Sequence, residues 1–286
     1  MTRRMSTILA LGLILVAPLV APWGAMAEPV QVKLGNLRLN GNLEAPEGRS
    51  LTEGIAIIVH GTLGHHGEPT VAALQRNLKV RGIATLAITL SLGIDDRKGP
   101  RACDVPHSYG DAEISAELER WVDWVARHGV RGVDYIGFSR GGAQLIDYLQ
   151  KQKGGRRVVL LAPALPDAAE IAAAYRRVYD QELALALEAA RAKPQEVRRV
   201  DYLTCRQAMV LGATFLDAYR PVPPDAIANI VQQTLVVLAG NDEAVPDLEP
   251  RLPAKVRHLV IEGSDHSFRD LNGEDAADAI AEFLRE

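Results

Sequence analysis

Short β-branched runs that alternate with helical segments constrain the fold of this chain more than any other sequence feature. The first run, Ile55–Val59, is continuously apolar, as is typical of a strand buried on both faces of a sheet. Five similar runs follow at residues 84–90, 133–138, 158–161, 235–239 and 259–261. Apolar residues at helical spacing lie between most of them, at residues 70–80, 112–126, 143–149 and 276–284. This alternation predicts a mostly parallel, doubly wound sheet with helices on both faces.

A different pattern precedes the first buried run. Residues 30–43 alternate apolar and polar positions, and Gly35 and Asn36 interrupt the alternation midway. Such a pattern is typical of an antiparallel hairpin. With its two strands at one edge, the predicted sheet has eight strands in a single domain, residues 28–286.

The first 27 residues read as a signal peptide. A basic start is followed by an apolar run at residues 8–21, and residues 25–27 fit the small-x-small cleavage pattern. The alternative is an uncleaved membrane anchor, but the run is short for a span and contains Pro18. We therefore expect an exported protein, periplasmic or secreted, with no stable membrane anchoring after cleavage.

Charge limits the classes of partner. The chain has a formal net charge of -4 and no basic stripe, whereas nucleic-acid-binding proteins carry clustered positive charge. A small-molecule substrate is the expected partner, and no nucleic acid.

One long segment breaks the alternation of strands and helices. Residues 167–219 contain no strand-like run and are rich in Ala, Glu, Arg and Leu, which predicts helices at 168–192 and 197–219. An insertion here would lie above the carboxyl ends of the strands, where open α/β sheets bind ligands. We interpret it as a helical cap over the site; the alternative is a helical hairpin that only covers the sheet.

The sharpest chemical signal is the sequence Gly137-Phe138-Ser139-Arg140-Gly141-Gly142, which matches G-x-S-x-G. It lies between a predicted strand and a predicted helix, where this motif holds a nucleophilic serine on a strained turn. Gly137 and Gly141 are small enough to let the strand and the helix approach each other. Ser139 is therefore the predicted nucleophile.

A serine nucleophile requires a base and an acid that orients the base, and with this motif both follow the serine along the chain. His266 follows the last predicted strand, whereas His258 begins that strand and would lie at the opposite edge of the sheet. Asp242 follows the strand at 235–239 and is the predicted acid. Glu243 and Asp247 are its rivals in the same loop, and Asp265 is expected to point away.

Two backbone amides are expected to stabilise the oxyanion of the tetrahedral intermediate. One belongs to Arg140, directly after the nucleophile, and the other to Thr62 or Leu63 in the loop HGTLGHHG. The adjacent His65 and His66 suggest a metal, but no third ligand is spaced near them, so we expect no metal and place these side chains at the mouth of the site. The Arg140 side chain could meet a substrate carboxylate or pair with a nearby acid.

The sequences HGTLG, GFSRGG, AGNDEAVP and GSDHSF, in this order and spacing, resemble those of the α/β-hydrolase superfamily. More narrowly, the chain is similar to small exported bacterial members of unassigned substrate. The resemblance covers nearly the whole mature chain. It implies an α/β-hydrolase fold with an eight-stranded core and ester hydrolysis without a cofactor.

Two cysteines, Cys103 and Cys205, follow the leader. In an oxidising compartment an even count favours pairing, although two free buried thiols are the alternative. Cys103 follows the fourth predicted strand and Cys205 lies in the insertion, so we predict a disulfide that ties the cap to the core.

The combined sequence features predict a carboxylesterase-like serine hydrolase that acts through an acyl-enzyme with Ser139, Asp242 and His266. Two alternatives remain: an amidase or peptidase with the same three residues, and a non-catalytic binding protein on the same scaffold.

Overall fold

The computed structural model describes residues 27–245 and 248–286. The predicted signal peptide lies outside the described residues except for Ala27, and so does the rival acid Asp247. None of the helices within these two ranges is long and apolar enough to span a bilayer.

The core is a mixed sheet whose strands were predicted from the apolar runs. The described residues contain ten strands: β1 (Ala27–Leu34), β2 (Leu37–Glu44), β3 (Ile55–Val59), β4 (Thr85–Thr89), β5 (Val133–Phe138), β6 (Arg157–Leu161), β7 (Val197–Tyr202), β8 (Cys205–Leu211), β9 (Gln233–Ala239) and β10 (Arg257–Ile261). Eight of them form one sheet in the order β1-β2-β4-β3-β5-β6-β9-β10. The hairpin of β1 and β2 joins β4 antiparallel, and the other neighbours are parallel. The predicted sheet and its leading hairpin are confirmed.

Helices cover both faces of the sheet. The described residues contain seven: α1 (Pro69–Val80), α2 (Asp111–Arg127), α3 (Arg140–Leu149), α4 (Ala168–Tyr179), α5 (Leu183–Ala192), α6 (Gly212–Ala218) and α7 (Leu271–Arg285). Each core helix turns one apolar stripe to the sheet; in α2 that stripe is Ile114, Leu118, Trp121 and Val125, at helical spacing. The stripes of α2 and α3 belong to one buried cluster and those of α1 and α7 to the cluster on the other face. Strand β3, between the two layers, is buried along its full length.

The insertion at residues 167–219 differs from the prediction in its second half. Helices α4 and α5 match the first predicted helical segment, but residues 197–211 form the antiparallel pair of β7 and β8 rather than a helix. A bulge explains why the strand pattern was missed: the pairing shifts register between Val200 and Tyr202, and Gln207 has a φ of +50°. The interruption breaks the period-two alternation by which a strand is recognised in a sequence.

A disulfide joins Cys103 to Cys205, as predicted, across a separation of 102 residues. The same segment of the core also meets the insertion through its backbone. The amide of His107 donates to the Met209 carbonyl at 2.7 Å, and the Leu211 amide donates to the His107 carbonyl at 2.8 Å. One covalent bond and two hydrogen bonds thus attach the loop after β4 to the β7–β8 pair.

Candidate active site

Ser139 lies on a tight turn between strand β5 and helix α3. Its φ of +52° and ψ of −122° fall outside the regions that L-residues favour, which is the backbone strain expected of a nucleophile on such a turn. A Cβ added to Gly137 would lie 2.6 Å from Gly142 Cα, and one added to Gly141 would lie 2.5 Å from the Val59 carbonyl oxygen. Only glycine fits at these two positions, because the strand and the helix approach too closely for a side chain.

Asp242 and His266 meet at the carboxyl ends of neighbouring strands. Asp242 follows β9, His266 follows β10, and His266 Nδ1 lies 2.7 Å from Asp242 Oδ2. The carboxylate also accepts hydrogen bonds from the amides of Ala244 and Val245, each at 2.8 Å. Burial raises the pKa of Asp242, but the hydrogen bonds from His266 and these amides outweigh burial and hold the pKa below its ordinary value. The carboxylate is therefore ionised and fixed against the imidazole.

The imidazole of His266 lies beside the Ser139 turn. Its ring centroid is 5.1 Å from that of Phe138, the residue that precedes Ser139. Among the residues that the structure describes, no hydrogen bond joins Ser139 Oγ to His266. Catalytic hydrogen bonds in unliganded sites are often long and tighten only when substrate is bound.

The other histidine and acids considered from the sequence have different surroundings. His258 pairs with Glu249 at 3.3 Å, away from the Ser139 turn. Asp265 accepts a hydrogen bond from the Ser267 amide at 2.9 Å. Glu243 is exposed. None of these is the partner of His266.

The loop at residues 60–64 passes directly against Ser139. A Cβ added to Gly61 would lie 3.3 Å from Ser139 Cβ. Within the described residues, the amides of Thr62 and Leu63 have no acceptor, and neither does that of Arg140 at the start of α3. Leu63 has a φ of +52°, which turns the backbone of this loop sharply. The two predicted sources of oxyanion donors therefore flank the serine with free N–H groups.

Buried side chains that sequence reasoning missed hold this loop in place. His60 Nδ1 lies 2.8 Å from the Gly61 carbonyl, and its Nε2 accepts from the Leu90 amide at 3.1 Å. Arg97 donates to the Gly64 carbonyl and to the Leu90 carbonyl, each at 2.8 Å. Burial and the charge of Arg97 lower the pKa of His60 to about 3, so the ring is neutral and carries its proton on Nδ1. Burial also lowers the pKa of Arg97 to about 10, which leaves it charged at neutral pH.

Glu68 supports the loop from the other side. Its Oε1 accepts a hydrogen bond from the Gly61 amide at 3.2 Å. Burial raises its pKa, although the amide hydrogen bonds and the charges of Arg97 and His266 oppose the rise. No motif in the sequence points to Arg97 or Glu68, since Arg97 bonds across two separate loops and Glu68 accepts from an amide elsewhere in its own loop.

His65 and His66 each have a hydrogen-bond partner outside the Ser139 turn. His66 Nδ1 lies 2.6 Å from Thr89 Oγ1, and His65 Nδ1 accepts from the Gly67 amide at 3.2 Å. Neither imidazole is among the residues that line the cleft described below, and their predicted position at the mouth of the site stays a prediction. In the described part of the chain, no group of three or more His, Cys, Asp or Glu side chains is arranged to hold a metal ion. The expectation that the protein needs no metal stays a prediction.

A cleft of about 450 Å³ opens between the core and the insertion. We call residues 167–219 the cap, and the loop at 60–64 together with the turn at 137–142 the floor. The floor side of the cleft includes Thr62 and Arg140, and the cap side includes Tyr175, Tyr179 and Tyr219. The insertion thus forms one wall of a cleft that also borders Thr62 and Arg140, the residue after Ser139.

The Arg140 side chain lies in this cleft and contacts the cap. Its Nη2 donates to the Ala218 carbonyl at 3.0 Å. Of the two roles considered from the sequence, pairing with a nearby acid is not observed, because Arg140 forms no ion pair with any carboxylate of the described residues.

No protein-family profile and no curated protein sequence matches the chain. Solved structures do match. Est1E from Butyrivibrio proteoclasticus is similar with a TM-score of 0.62 and 20% identity over 90% of this chain and 97% of that chain. The Pyrococcus furiosus esterase PF2001 is similar with a TM-score of 0.60 and 16% identity, covering 91% and 90% of the two chains. A bromoperoxidase from Bacillus anthracis is similar with a TM-score of 0.59 and 14% identity, covering 91% and 100%.

The resemblance carried by the four motifs agrees with these neighbours, the order of the eight strands and the covering helices. Together they assign this chain to the α/β-hydrolase fold.

Proposed function

We propose that the protein is a serine hydrolase that cleaves carboxylic esters of small or medium size through an acyl-enzyme. The observation that carries the proposal is the 2.7 Å contact between His266 Nδ1 and Asp242 Oδ2, beside the strained turn that bears Ser139. A buried carboxylate that orients a histidine next to a nucleophile is the arrangement that activates a serine hydroxyl.

The proposed reaction has two halves. His266 takes the Ser139 proton through Nε2 as the hydroxyl oxygen attacks the acyl carbon, and the amides of Arg140 and Thr62 or Leu63 hold the oxyanion. The imidazolium then protonates the leaving alcohol, and an acyl-enzyme remains. Water, with His266 again as base, attacks the acyl carbon and releases the acid. Asp242 keeps the imidazole in the tautomer that leaves Nε2 free to accept the proton.

Two findings support an ester as substrate. PF2001 is described as an esterase, and ferulic acid is bound to Est1E in one of the solved structures. The cleft, at about 450 Å³, has the size of a small-molecule site. Both findings are compatible with an acyl or alcohol group of moderate size.

Covalent labelling with a fluorophosphonate probe tests the proposal. We expect the wild-type protein to be labelled at Ser139 and Ser139→Ala to remain folded and unlabelled, with ester turnover reduced by about four to six orders of magnitude. Ser108→Ala is the matched control, because Ser108 is exposed and is not part of the proposed machinery. Labelling of Ser139→Ala equal to that of the wild type would refute the assignment.

A pair of chromogenic substrates distinguishes ester from amide cleavage. We expect p-nitrophenyl acetate to be turned over and the matching anilide to be a much poorer substrate, because an amine is a harder leaving group to expel. A faster reaction with the anilide would favour the amidase alternative. A folded protein that neither reacts with the probe nor cleaves either substrate would favour a binding protein.

We also propose that the protein is exported and loses residues 1–27. The Cys103–Cys205 disulfide supports this, because disulfides persist in oxidising compartments. Mass spectrometry of the mature protein should find Glu28 at its amino terminus. Recovery of the intact leader on the mature protein would contradict cleavage.

A further inference from the structure

Three of the four carboxylates that line the cleft are paired with an arginine. Arg220 forms ion pairs with Asp111, at 2.7 Å, and with Asp147. Arg251 pairs with Glu170 at 2.7 Å. Each of these ion pairs neutralises charge that would otherwise attract a cationic ligand into the cleft.

Arg140, in contrast, has no carboxylate partner among the described residues. The fourth carboxylate of the cleft, Asp217, accepts a hydrogen bond from the Asp111 amide at 3.1 Å and is not paired with Arg140. Arg140 donates only to the neutral Ala218 carbonyl, so its Nε and Nη1 have no acceptor among the described residues. Neither nitrogen is among the fully buried unpartnered atoms, so both are accessible to solvent on a side chain that lines the cleft.

Two other arginines act on the surroundings of Arg140. The guanidinium groups of Arg140, Arg101 and Arg97 all act on the Tyr109 hydroxyl, and each opposes the rise of its pKa that burial causes. Arg97 faces the buried carboxylate of Glu117, whereas Nε and Nη1 of Arg101 are buried without an acceptor. Arg140 and Arg101, which form no ion pair within the described residues, therefore both place positive charge close to the Tyr109 hydroxyl.

We propose that the Arg140 side chain binds a carboxylate carried by the substrate, so that the preferred substrates are esters with an anionic group. A guanidinium presents donors in a planar fork that matches a carboxylate. Because Arg140 follows Ser139 directly, the bound carboxylate would lie at a short, fixed distance from the scissile ester. This substrate class rests on the proposed function above.

Matched ester pairs test the proposal on the wild-type protein. The acyl-side pair is mono-p-nitrophenyl adipate and its methyl ester, and the alcohol-side pair is p-carboxyphenyl acetate and its methyl ester. We expect kcat/KM for the anionic member of one pair to exceed that of the neutral member by about 10-fold to 100-fold, the usual worth of a charge-assisted hydrogen bond. The pair that shows the preference identifies the side of the ester that carries the charge. Equal or lower kcat/KM for both anionic members would overturn the proposal.

Variants then test whether the Arg140 side chain causes the preference for the anionic ester. Arg140→Gln should remove it and Arg140→Lys should retain part of it, because lysine keeps the charge but not the fork. The ratio of the two rates on one preparation does not depend on the fraction of folded enzyme. Arg177→Gln is the matched control, since Arg177 is a second cleft arginine that forms no ion pair within the described residues. A preference lost in Arg177→Gln and kept in Arg140→Gln would overturn the assignment to Arg140.

A binding measurement separates this inference from the proposed function. Calorimetric titration of Ser139→Ala with monomethyl adipate and with dimethyl adipate requires no turnover. We expect the anionic ligand to bind about 10-fold or more tightly than the neutral one, and Arg140→Gln in the same background to abolish the difference. Equal affinities would overturn the inference even if neutral esters are hydrolysed, whereas tighter anion binding without any hydrolysis would leave the inference standing and refute the proposed function.

Discussion

The floor and the cap are held together in different ways. The floor is close-packed: a Cβ on Gly141 would lie 2.5 Å from the Val59 carbonyl and 2.6 Å from that of His60. The cap exposes large apolar side chains, with 67% of Leu185 and 47% of Val178 accessible to solvent. Packing of the first kind fixes atoms to a fraction of an ångström, whereas the cap is closely packed on its inner face only, where Tyr202 and Phe215 join the buried cluster of the core.

Directional hydrogen bonds, within the cap and to the core, and one covalent bond to the core also hold the cap. Tyr175 and Tyr179 donate to the carbonyls of Asp201 and Leu203, at 3.1 and 2.7 Å. The Leu203 amide in turn donates to the Tyr219 hydroxyl at 2.7 Å. The comparison indicates that the proposed reacting groups and the proposed substrate wall can be changed separately. Floor substitutions should act on chemistry and global stability, and cap substitutions on cap stability and substrate choice.

Removal of the Asp242 charge should give the largest effect. We expect Asp242→Asn to lower kcat by about 10⁴-fold with little change in unfolding temperature, since the amide would favour the wrong tautomer of His266. Steady-state kinetics and thermal unfolding measure the two quantities. Glu243→Gln and Asp247→Asn are controls in the same loop, and a greater loss in either would identify a different acid.

Removal of the disulfide should affect the cap more than the floor. Replacement of Cys103 and Cys205 by Ser should lower the free energy of unfolding by about 4–5 kcal/mol in the chain-entropy description of a 102-residue loop. Denaturant unfolding measures the loss, and hydrogen exchange locates it. Exchange that accelerates in β3 and β5 as much as in α4 and α5 would contradict the distinction between the two regions.

Addition of a methyl group at Gly141, in the floor, should lower the free energy of unfolding by nearly as much. Gly141→Ala should destabilise the fold by about 3 kcal/mol, because the added Cβ meets backbone carbonyls that cannot move independently. Gly154→Ala is the control, since a Cβ there would meet nothing within 4 Å and Gly154 has an ordinary φ. Equal unfolding midpoints for the two variants would show that the floor is more adaptable than its packing indicates.

The smallest expected effect concerns the junction of core and cap. His107 is fully buried, neither ring nitrogen has a partner in the described residues, and burial and the charge of Arg101 lower its pKa to about 4. Since the unfolded chain titrates near the ordinary value of 6.5, it binds the proton first, so stability falls as the pH falls from about 6.5 to about 4.

Replacement of His107 by Phe should remove this dependence and keep the ring packed against Tyr202. Between pH 7.5 and pH 5, the wild type should lose about 2 kcal/mol more than His107→Phe does. Urea unfolding at the two values of pH measures the difference. Parallel losses in the two proteins would show that His107 keeps an ordinary pKa in the folded state.

The sheet and the positions of the proposed catalytic residues could be predicted from the sequence because local patterns encode both. Buried parallel strands are continuous apolar runs, and the turn around Ser139 has a motif with glycines at fixed positions. Asp242 and His266 could be found because each directly follows a strand, and the carboxyl ends of parallel strands meet at one edge of the sheet.

The β7–β8 pair and the supports of the loop at 60–64 could not be predicted in the same way. The bulge at Gln207 interrupts the alternation that would have identified β8. The contact of Arg97 with Gly64 joins residues 33 positions apart, and no local pattern encodes it. An isolated arginine in a loop reads as a solvated surface residue until the fold shows that it is buried.

The segment at residues 97–107 contacts both the floor and the cap. Its Arg101 amide donates to the Leu63 carbonyl at 2.8 Å, next to one candidate oxyanion donor, while His107 pairs with the backbone of β8. A substrate wide enough to displace the β7–β8 pair would therefore also shift the Leu63 amide. We expect discrimination against oversized substrates to appear as slow turnover of molecules that still bind, rather than as weak binding.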